Sequence, residues 1–251
     1  MEVLAITQAR SGSTRLPNKV LKTIGDQTLL DIHLQRILKS KKIDQLLVAT
    51  TIDALDTRIV EITKSNALPF YQGSVENVLD RFYKAAVKFK PKWVVRLTSD
   101  CPLIDAMLID DVINYAIEKD VDYCSNTLNP TFPDGMDIEV FKFTALEKAW
   151  KEAELDSEKE HVTPFIHKNS TFNGLDLFVS CNYESDTNFS DVRLTVDEPT
   201  DFDVVKLVVE NLGLDENWRT YTDFYLLNKK INELNGSYRR NEGYEKSLKE
   251  D

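Results

Sequence analysis

The 251-residue sequence predicts an α/β protein with a mostly parallel central sheet and helices on both faces. In its first half, short apolar runs alternate with amphipathic stretches at the spacing of repeated βα units. The apolar run at 3–6 leads directly into a polar loop with glycine and three cations. Because open parallel sheets bind ligands beyond the carboxyl ends of their strands, this loop lies where a ligand site is expected.

The elements of the first half follow from this alternation. Short continuous apolar runs predict buried strands, and longer runs with apolar residues at every third or fourth position predict helices. The predicted strands are 3–7, 46–51, 70–71 and 93–98, and the predicted helices are 29–38, 56–65, 75–89 and 106–118. These strands are expected to run parallel to one another because a helix joins each strand to the next.

The pattern becomes less regular after residue 120, which predicts a smaller α+β elaboration at about 122–190. The predicted strands here and beyond are 122–126, 136–141, 175–181 and 192–195, and the predicted helices are 144–153, 158–167, 200–211 and 221–234. We find no repeat and no clear linker, so we expect one domain over residues 1–234. The charged residues 235–251 predict a frayed tail.

Composition narrows the class of ligand. The chain carries a net charge of −11, whereas residues 1–25 contain four cations and one acidic residue. Nucleic-acid and membrane affinity depends on broad positive surfaces, so a focused anion site is favoured and neither partner is expected. The sequence has no apolar run long enough for a membrane helix, and its first residues are too quickly polar for a signal peptide. Three widely spaced cysteines indicate reduced thiols in a cytoplasmic protein.

The loop at 8–19 (QARSGSTRLPNK), called the cationic loop below, has the composition of a phosphate-binding segment. Glycine and serine let backbone N–H groups approach an anion, while Arg10, Arg15 and Lys19 neutralise it. A Walker A loop is excluded because Asn18 precedes the lysine and Val20 follows it. The dinucleotide fingerprint GxGxxG is also absent, which argues against a Rossmann oxidoreductase.

Two aspartates follow predicted strands. Asp100 comes after the strand at 93–98, and Asp197 comes after the strand at 192–195. An aspartate at such a position can bind Mg²⁺, which prefers oxygen ligands, or can simply cap a turn or helix. Asp201 is expected to serve the start of the following helix, with Pro199 in its first turn.

A third acidic motif lies at 134–141 (DGMDIEVF), where strand alternation places Asp137 and Glu139 on one face. That face could meet solvent or the hydroxyl groups of a substrate. For His161, in the segment 158–164 (EKEHVTP), a structural role and a substrate-binding role are likewise both open. The sequence has three histidines, none paired at metal-binding spacing, so a zinc site is not expected.

Taken together and in this order, the motifs resemble the cytidylyltransferase family that activates acidic sugars as CMP derivatives. The similarity is greatest to its spore-coat polysaccharide branch and weaker to the CMP-Kdo and acylneuraminate synthetases. The blocks that carry it are 8–21 (QARSGSTRLPNKVL), 96–104 (RLTSDCPLI), 135–141 (GMDIEVF), 160–164 (EHVTP) and 193–199 (RLTVDEP). The resemblance covers about residues 2–210 and implies a Rossmann-like nucleotidyltransferase fold of the GT-A type.

The resemblance also implies roles for individual residues. Nucleotide binding is expected from Ala9, Arg10, Ser11, Gly12, Ser13, Arg15, Lys19, Gly73 and Thr98. Catalytic roles are expected for Arg10, Lys19, Asp100 and Asp197, with the two aspartates as Mg²⁺ ligands. Acceptor binding is expected from Asp137, Glu139, His161 and Arg193.

The implied reaction transfers CMP from CTP to an acidic sugar or to a sugar or polyol phosphate, with release of pyrophosphate, and the implied assembly is a homodimer. Three alternatives stay open. CMP-Kdo synthetases carry Gln-Gly where this chain has Thr98-Ser99, so another NTP could be used. A glycosyltransferase would need a metal-binding Asp-x-Asp, which Asp120 and Asp122 match in spacing. A nucleotide-binding partner without turnover is the non-enzymatic alternative.

Overall fold

The structure of the chain is a computed structural model that describes residues 1–248 and 251. Its strands are β1 (Val3–Gln8), β2 (Thr23–Ile24), β3 (Gln27–Thr28), β4 (Gln45–Thr51), β5 (Phe70–Gly73), β6 (Trp93–Thr98), β7 (Tyr123–Ser125), β8 (Glu139–Lys142) and β9 (Ser180–Asn182). Its helices are α1 (Leu29–Ile37), α2 (Thr57–Ser65), α3 (Val78–Val87), α4 (Ala106–Lys119), α5 (Phe143–Glu152), α6 (Asp156–His161), α7 (Pro164–Lys168), α8 (Pro199–Leu212), α9 (Trp218–Leu227), α10 (Lys229–Asn235) and α11 (Glu242–Ser247).

The described residues form one main sheet in the strand order β5-β4-β1-β6-β8-β7-β9, with β2 and β3 as a separate hairpin. Strands β5, β4, β1 and β6 are parallel to one another. Strand β8 is antiparallel to both β6 and β7, and β7 is parallel to β9. The predicted class, a mostly parallel sheet flanked by helices, is confirmed.

Helices cover both faces of this sheet because the strand residues alternate between two apolar layers. In β1, Val3 and Ala5 join the layer packed against α1, α4 and α8. Leu4 and Ile6 join the opposite layer, which contains α3 and α5. Burial on both faces explains why the predicted strands in the first half are continuous apolar runs.

Two predicted helices are each divided in the structure. The helix expected at 158–167 breaks at Val162, whose φ is 72°. The N–H of Thr163 donates to the carbonyl of His161 at 2.9 Å, so these three residues form a γ-turn. Pro164 then begins α7. The helix expected at 221–234 breaks at Asn228, which separates α9 from α10.

Two predicted strands are much shorter than expected. The run at 175–181 retains only its last two residues in β9, because Leu175, Leu177 and Val179 are exposed instead of packed in a layer. The run at 192–195 forms one isolated bridge between Arg193 and Asp134. Its backbone hydrogen-bonds to loop residues, since the N–H of Leu194 donates to the Asp134 carbonyl at 2.7 Å.

Two further findings concern the helices and the cysteines. Among the described residues, no helix is both long enough and apolar enough to cross a membrane. Cys101, Cys124 and Cys181 are free thiols.

Candidate functional site

A cavity of about 770 Å³ lies at the carboxyl ends of β1 and β6, a volume typical of small-molecule sites. The predicted site residues that line it are Ala9, Arg10, Gly12, Ser13, Arg15, Lys19, Thr98, Asp100, Asp137, Glu139, His161, Arg193 and Asp197. Ser11 and Gly73 do not line it. The structure therefore brings nearly all of these residues together although they are far apart in the chain.

Ser11 anchors the cationic loop on the side away from the cavity. This buried residue donates its backbone N–H to Asp56 Oδ1 at 2.7 Å and its hydroxyl to the Leu55 carbonyl at 3.2 Å. Its own carbonyl accepts the N–H of Asn18 at 3.1 Å, which closes the loop. Gly12 and Ser13 are thereby left facing the cavity, in the position where an anion would meet their backbone.

Asp56 supports the cationic loop from outside the cavity lining, and no sequence pattern indicated this role. It is only 2% exposed, and it accepts hydrogen bonds from the Ser11 N–H and from the hydroxyl of Thr51 at 2.5 Å. In the sequence it lies at the start of the helix at 56–65, where it is indistinguishable from an ordinary capping residue. Its contact with Ser11 joins residues 45 positions apart, which no local pattern reveals.

Asp100 and Asp197 face the same point, and Lys19 occupies it. Lys19 Nζ lies 3.0 Å from Asp100 Oδ2 and 2.6 Å from Asp197 Oδ1. The two aspartates meet because the Asp100 carbonyl accepts the N–H of Val196 at 2.8 Å. Arg15 adds a second cation, 3.0 Å from Asp197 Oδ2 and 3.1 Å from Glu198 Oε1.

The charges of this group stabilise one another. Burial would lower the pKa of Lys19, but Asp100 and Asp197 outweigh it and raise that pKa to about 12. Burial would likewise raise the pKa of Asp100, but Lys19 and the Thr98 hydroxyl hold it well below its usual range. Both groups are therefore charged at neutral pH.

The two carboxylates fit a hard divalent cation. Their oxygens already converge on one positive group, and Mg²⁺ is commonly held by one or two carboxylates together with substrate phosphates and water. Within residues 1–248 and 251 no group of three or more His, Cys, Asp or Glu side chains forms a complete metal cage. The remaining ligands would have to come from a bound substrate and water.

Arg193 holds the carboxylates around Asp197 in position. Its Nη2 and Nε donate to the two carboxylate oxygens of Asp201 at 2.8 and 2.9 Å, and its Nη1 donates to Asp134 at 2.8 Å. Asp201 also accepts the backbone N–H of Asp197 at 3.0 Å, so it sets the position of that aspartate. As expected, Asp201 also caps the start of α8. Arg193 therefore positions Asp201 and, through it, Asp197, while its expected contact with the acceptor stays a prediction.

Arg10 and Arg81 differ from Lys19 and Arg15 in having no carboxylate partner within the part of the chain that the structure describes. Arg81 is 1% exposed, donates from Nη1 to the Ser74 carbonyl at 2.7 Å, and leaves its Nε without a partner. Burial and the nearby charge of Arg10 lower the pKa of Arg81 to about 10. Both residues line the cavity, so this side of the loop carries positive charge that no carboxylate of the described residues neutralises by an ion pair.

Gly73 acts indirectly through Arg81. A Cβ atom at position 73 would lie 2.9 Å from Tyr71 Cε1 and 3.2 Å from Arg81 Cγ, which is too close for either contact. Gly73, which was expected to bind nucleotide, lies outside the cavity lining. Its missing side chain leaves room for Arg81, for which no role was predicted, and direct nucleotide binding by Gly73 stays a prediction.

The far end of the cavity contains paired polar groups. Glu139 contacts Arg96 Nη1 and accepts the hydroxyl of Tyr123 at 2.6 Å. Burial would raise the pKa of Glu139, but Arg96 lowers it below its usual value. His161 lies on the γ-turn, and burial lowers its pKa, which keeps the imidazole neutral at pH 7. Asp137 contacts Arg240 Nη2.

The part of the tail that the structure describes up to residue 248 is folded instead of frayed. Arg240 pairs with Asp137, and Ser247 donates its hydroxyl to Glu160 at 2.9 Å. The Tyr244 ring packs edge-on against His161 with the ring centres 5.0 Å apart. Cavity-lining residues in this segment are Arg239, Asn241, Glu242 and Tyr244. Composition alone did not reveal this, because the contacts depend on charges that meet only in the folded chain.

The Asp-x-Asp alternative receives no support from the geometry. Asp120 and Asp122 pair with Lys142 at 3.2 and 3.3 Å, and neither lines the cavity. Both aspartates of the Asp-x-Asp spacing are therefore accounted for by their ion pairs with Lys142.

Comparison with known proteins agrees with this geometry. The cytidylyltransferase family model matches residues 4–231. The protein MJ1063 of Methanocaldococcus jannaschii is 39% identical over 241 residues, 96% of this chain and 97% of its own. The spore coat polysaccharide biosynthesis protein SpsF of Bacillus subtilis is 31% identical over 84% of this chain and 88% of its own.

A solved structure of a cytidylyltransferase from Leptospira borgpetersenii superposes with a TM-score of 0.86 at 31% identity. That match covers 92% of this chain and 96% of the Leptospira chain. The family match therefore extends over almost the whole described sheet and includes every motif singled out from the sequence up to Asp201. The chain belongs to the cytidylyltransferase family.

Proposed function

We propose that the protein transfers the cytidylyl group of CTP to an oxygen of a sugar-type acceptor and releases pyrophosphate. The observation that carries the proposal is the meeting, in one cavity, of a carboxylate pair at Asp100 and Asp197 with the cationic loop. Family membership supports the nucleotide as CTP. In this reaction a bond forms between the acceptor oxygen and the α-phosphorus, and the bond from the α-phosphorus to the bridging oxygen breaks. Pyrophosphate leaves with that electron pair.

The nucleotide is assigned to the cationic-loop side of the cavity. Backbone groups of residues 9–13 cradle the phosphates, with Gly12 and Ser13 in direct contact and Ser11 as the support. Arg10 lies closest to the reacting phosphate, while Lys19 and Arg15 stabilise the departing pyrophosphate. Charge develops on phosphoryl oxygens in such reactions, so fixed cations that face them are the main source of catalysis. Thr98 lines the same wall.

Asp100 and Asp197 are assigned as the residues that hold Mg²⁺. When bound, the ion would supply a divalent charge that polarises phosphate oxygens. Arg193 and Asp201 keep Asp197 in position for this role, since Asp201 accepts the Asp197 N–H. The proton of the acceptor hydroxyl passes to solvent, and no residue is assigned as a general base.

The acceptor is assigned to the far end of the cavity, beside Glu139, His161 and Asp137. Lys168 and Arg239 line this end, and neither has an ion-pair partner among the described residues. Free cations at this end support an anionic acceptor, either an acidic sugar or a sugar or polyol phosphate. The spore-coat relative supports a role in cell-surface polysaccharide biosynthesis.

The proposal includes a homodimer. Near the edge strand β9, Leu175, Leu177 and Val179 are between 41% and 51% exposed. Three large exposed apolar side chains beside an edge strand are typical of a covered interface. A second copy of this chain is the occupant that we propose, and the molar mass in solution, measured by light scattering, tests it. A monomeric mass at micromolar concentration would contradict the dimer.

The test of function is a pyrophosphate-release screen with Mg²⁺. It crosses the four NTPs with 2-keto-3-deoxy acids, nonulosonic acids, and sugar and polyol phosphates. We expect release with CTP and an anionic acceptor, and loss of release in Asp100→Asn and Asp197→Asn while both variants keep their fold. Asp122→Asn is the matched control, because Asp122 lies outside the cavity. Near-full activity in both aspartate variants would refute the metal assignment, and product formed only from preformed nucleotide-sugars would refute the reaction.

A further inference from the structure

Lys19 has a position that its proposed role at the phosphates does not explain. Its ammonium group bridges Asp100 and Asp197 at 3.0 and 2.6 Å, and its side chain is only 13% exposed. These are the same two carboxylates that would hold the metal. In the described structure, then, the lysine itself supplies the positive charge at the metal position.

An ammonium group and Mg²⁺ cannot occupy this point together. Two cations a few ångströms apart in a partly buried site repel strongly, and each carboxylate has a limited number of free lone pairs. A metal that binds both aspartates must therefore displace Lys19 Nζ. The rest of the residue can stay in place, because the N–H of Lys19 donates to the Leu16 carbonyl at 3.1 Å and its turn begins at Asn18.

The displaced ammonium group needs a new anion. The flexible four-carbon stem of lysine lets the charge move while the backbone is fixed. Gly12 and Ser13, the residues proposed to contact the phosphates, line the same cavity as the two carboxylates. A bound phosphate chain would draw Lys19 away from the carboxylates and so make them available to the metal.

We propose that Lys19 is an internal cation that competes with the divalent metal for Asp100 and Asp197, and so makes metal binding and phosphate binding depend on each other. The identity of the phosphate ligand as CTP rests on the proposed function, whereas the competition itself does not. Linkage requires the effect to be reciprocal: a phosphate ligand strengthens metal binding by the same factor as the metal strengthens phosphate binding. The competition also leaves the carboxylates neutralised when no substrate is bound.

The competition makes an unusual prediction for a catalytic lysine. Removing Lys19 should strengthen metal binding in the absence of nucleotide, because the metal no longer has to displace a bound cation. We expect Lys19→Met to bind Mn²⁺ roughly 5- to 150-fold more tightly than the wild type, the range of typical coupling between two sites. Lys19→Arg keeps the positive charge and should stay close to the wild type.

The experiment titrates the full chain with Mn²⁺ without nucleotide and follows free Mn²⁺ by electron paramagnetic resonance. Lys22→Met is the matched control, because Lys22 lies over the Phe202 ring and has no contact with the aspartates. Lys19→Gln replaces Lys19→Met if the methionine variant does not fold. The increase in melting temperature caused by Mn²⁺ is the second measurement, and it should be larger in the Lys19 variant than in the wild type.

Tighter Mn²⁺ binding confined to the uncharged Lys19 variants supports the competition. Equal affinity in wild type and variant, including no measurable binding in either, would overturn it. An equal gain in Lys22→Met would also overturn it, because the effect would then be one of overall charge. A separate titration of the wild type with CTP and Mg²⁺ tests the proposed function, and absence of CTP binding there would leave the Mn²⁺ result as a statement about Lys19 alone.

Discussion

The cations on the two sides of the cationic loop differ in whether a carboxylate pairs with them. On one side, Lys19 and Arg15 are paired with carboxylates at distances of 2.6 to 3.1 Å. On the other side, Arg10 and Arg81 line the cavity with no carboxylate partner in the part of the chain described. Paired charges contribute little net attraction for an incoming anion, whereas unpaired ones contribute fully. The number of cations in a loop is therefore a poor guide to its anion affinity.

The largest expected effect is on CTP affinity, which should fall more for a substitution on the unpaired side than for one on the paired side. Arg10→Ala should weaken CTP binding roughly 10- to 150-fold, the range for loss of a hydrogen bond to a charged group. Arg15→Ala should weaken it by less than about tenfold, because Arg15 is partly neutralised by Asp197 and Glu198 before the ligand arrives. Calorimetric titration with CTP and Mg²⁺ measures both. An Arg15 effect as large as that of Arg10 would contradict the distinction between paired and unpaired cations.

The second effect concerns the anchor of the loop. Asp56→Asn should lower the free energy of unfolding by about 2 kcal/mol, because an amide cannot accept from both the Ser11 N–H and the Thr51 hydroxyl as a carboxylate does. CTP affinity should fall as well, since residues 10–13 lose their support. Urea unfolding measures the first effect. Asp53→Asn, at an exposed turn where Asp53 accepts only the Leu55 N–H, is the control and should cost less than about 1 kcal/mol.

A smaller effect tests the indirect role of Gly73. Gly73→Ala places a methyl group against Arg81 and Tyr71, so we expect about 1 kcal/mol weaker CTP binding as the guanidinium shifts. Gly12→Ala is the comparison for stability only, since a Cβ atom there meets no protein atom within 4 Å but Gly12 is itself proposed to contact the phosphates. If Gly73→Ala binds CTP like the wild type, Arg81 does not take part in holding the ligand.

The smallest effect is on the pH dependence of stability. Burial lowers the pKa of His167 below its usual 6.5, so the unfolded chain binds the proton more readily than the folded one. The stability that His167 contributes is therefore present above about pH 6.5 and is lost as the pH falls below that value. Thermal unfolding at pH 7 and 5.5 should show a smaller loss in His167→Gln. An unchanged loss in that variant would assign the pH dependence to other groups.

Local patterns predicted much of this molecule and failed at particular places for physical reasons. The parallel half and the cationic loop were predictable because strand burial, helix periodicity and loop composition are properties of neighbouring residues. The contact of Ser11 with Asp56 and the approach of Arg81 to Arg10 were not, since each depends on side chains that only the folded sheet brings together. Arg193 shows the same limit: its motif was recognisable, but its partners Asp134 and Asp201 decide what it does.

The γ-turn at Val162 has a consequence for how the acceptor end is maintained. A β-branched residue with φ of 72° is held in a conformation that costs on the order of 1–3 kcal/mol, and Val162 is fully buried. The surrounding core must therefore outweigh that cost to keep His161 and Thr163 on the cavity wall. Core substitutions around this turn that never touch a ligand would let the strained turn relax and shift His161 and Thr163, although Pro164 still prevents a continuous helix. The shape of the acceptor end thus depends on the folding energy of the layer behind it.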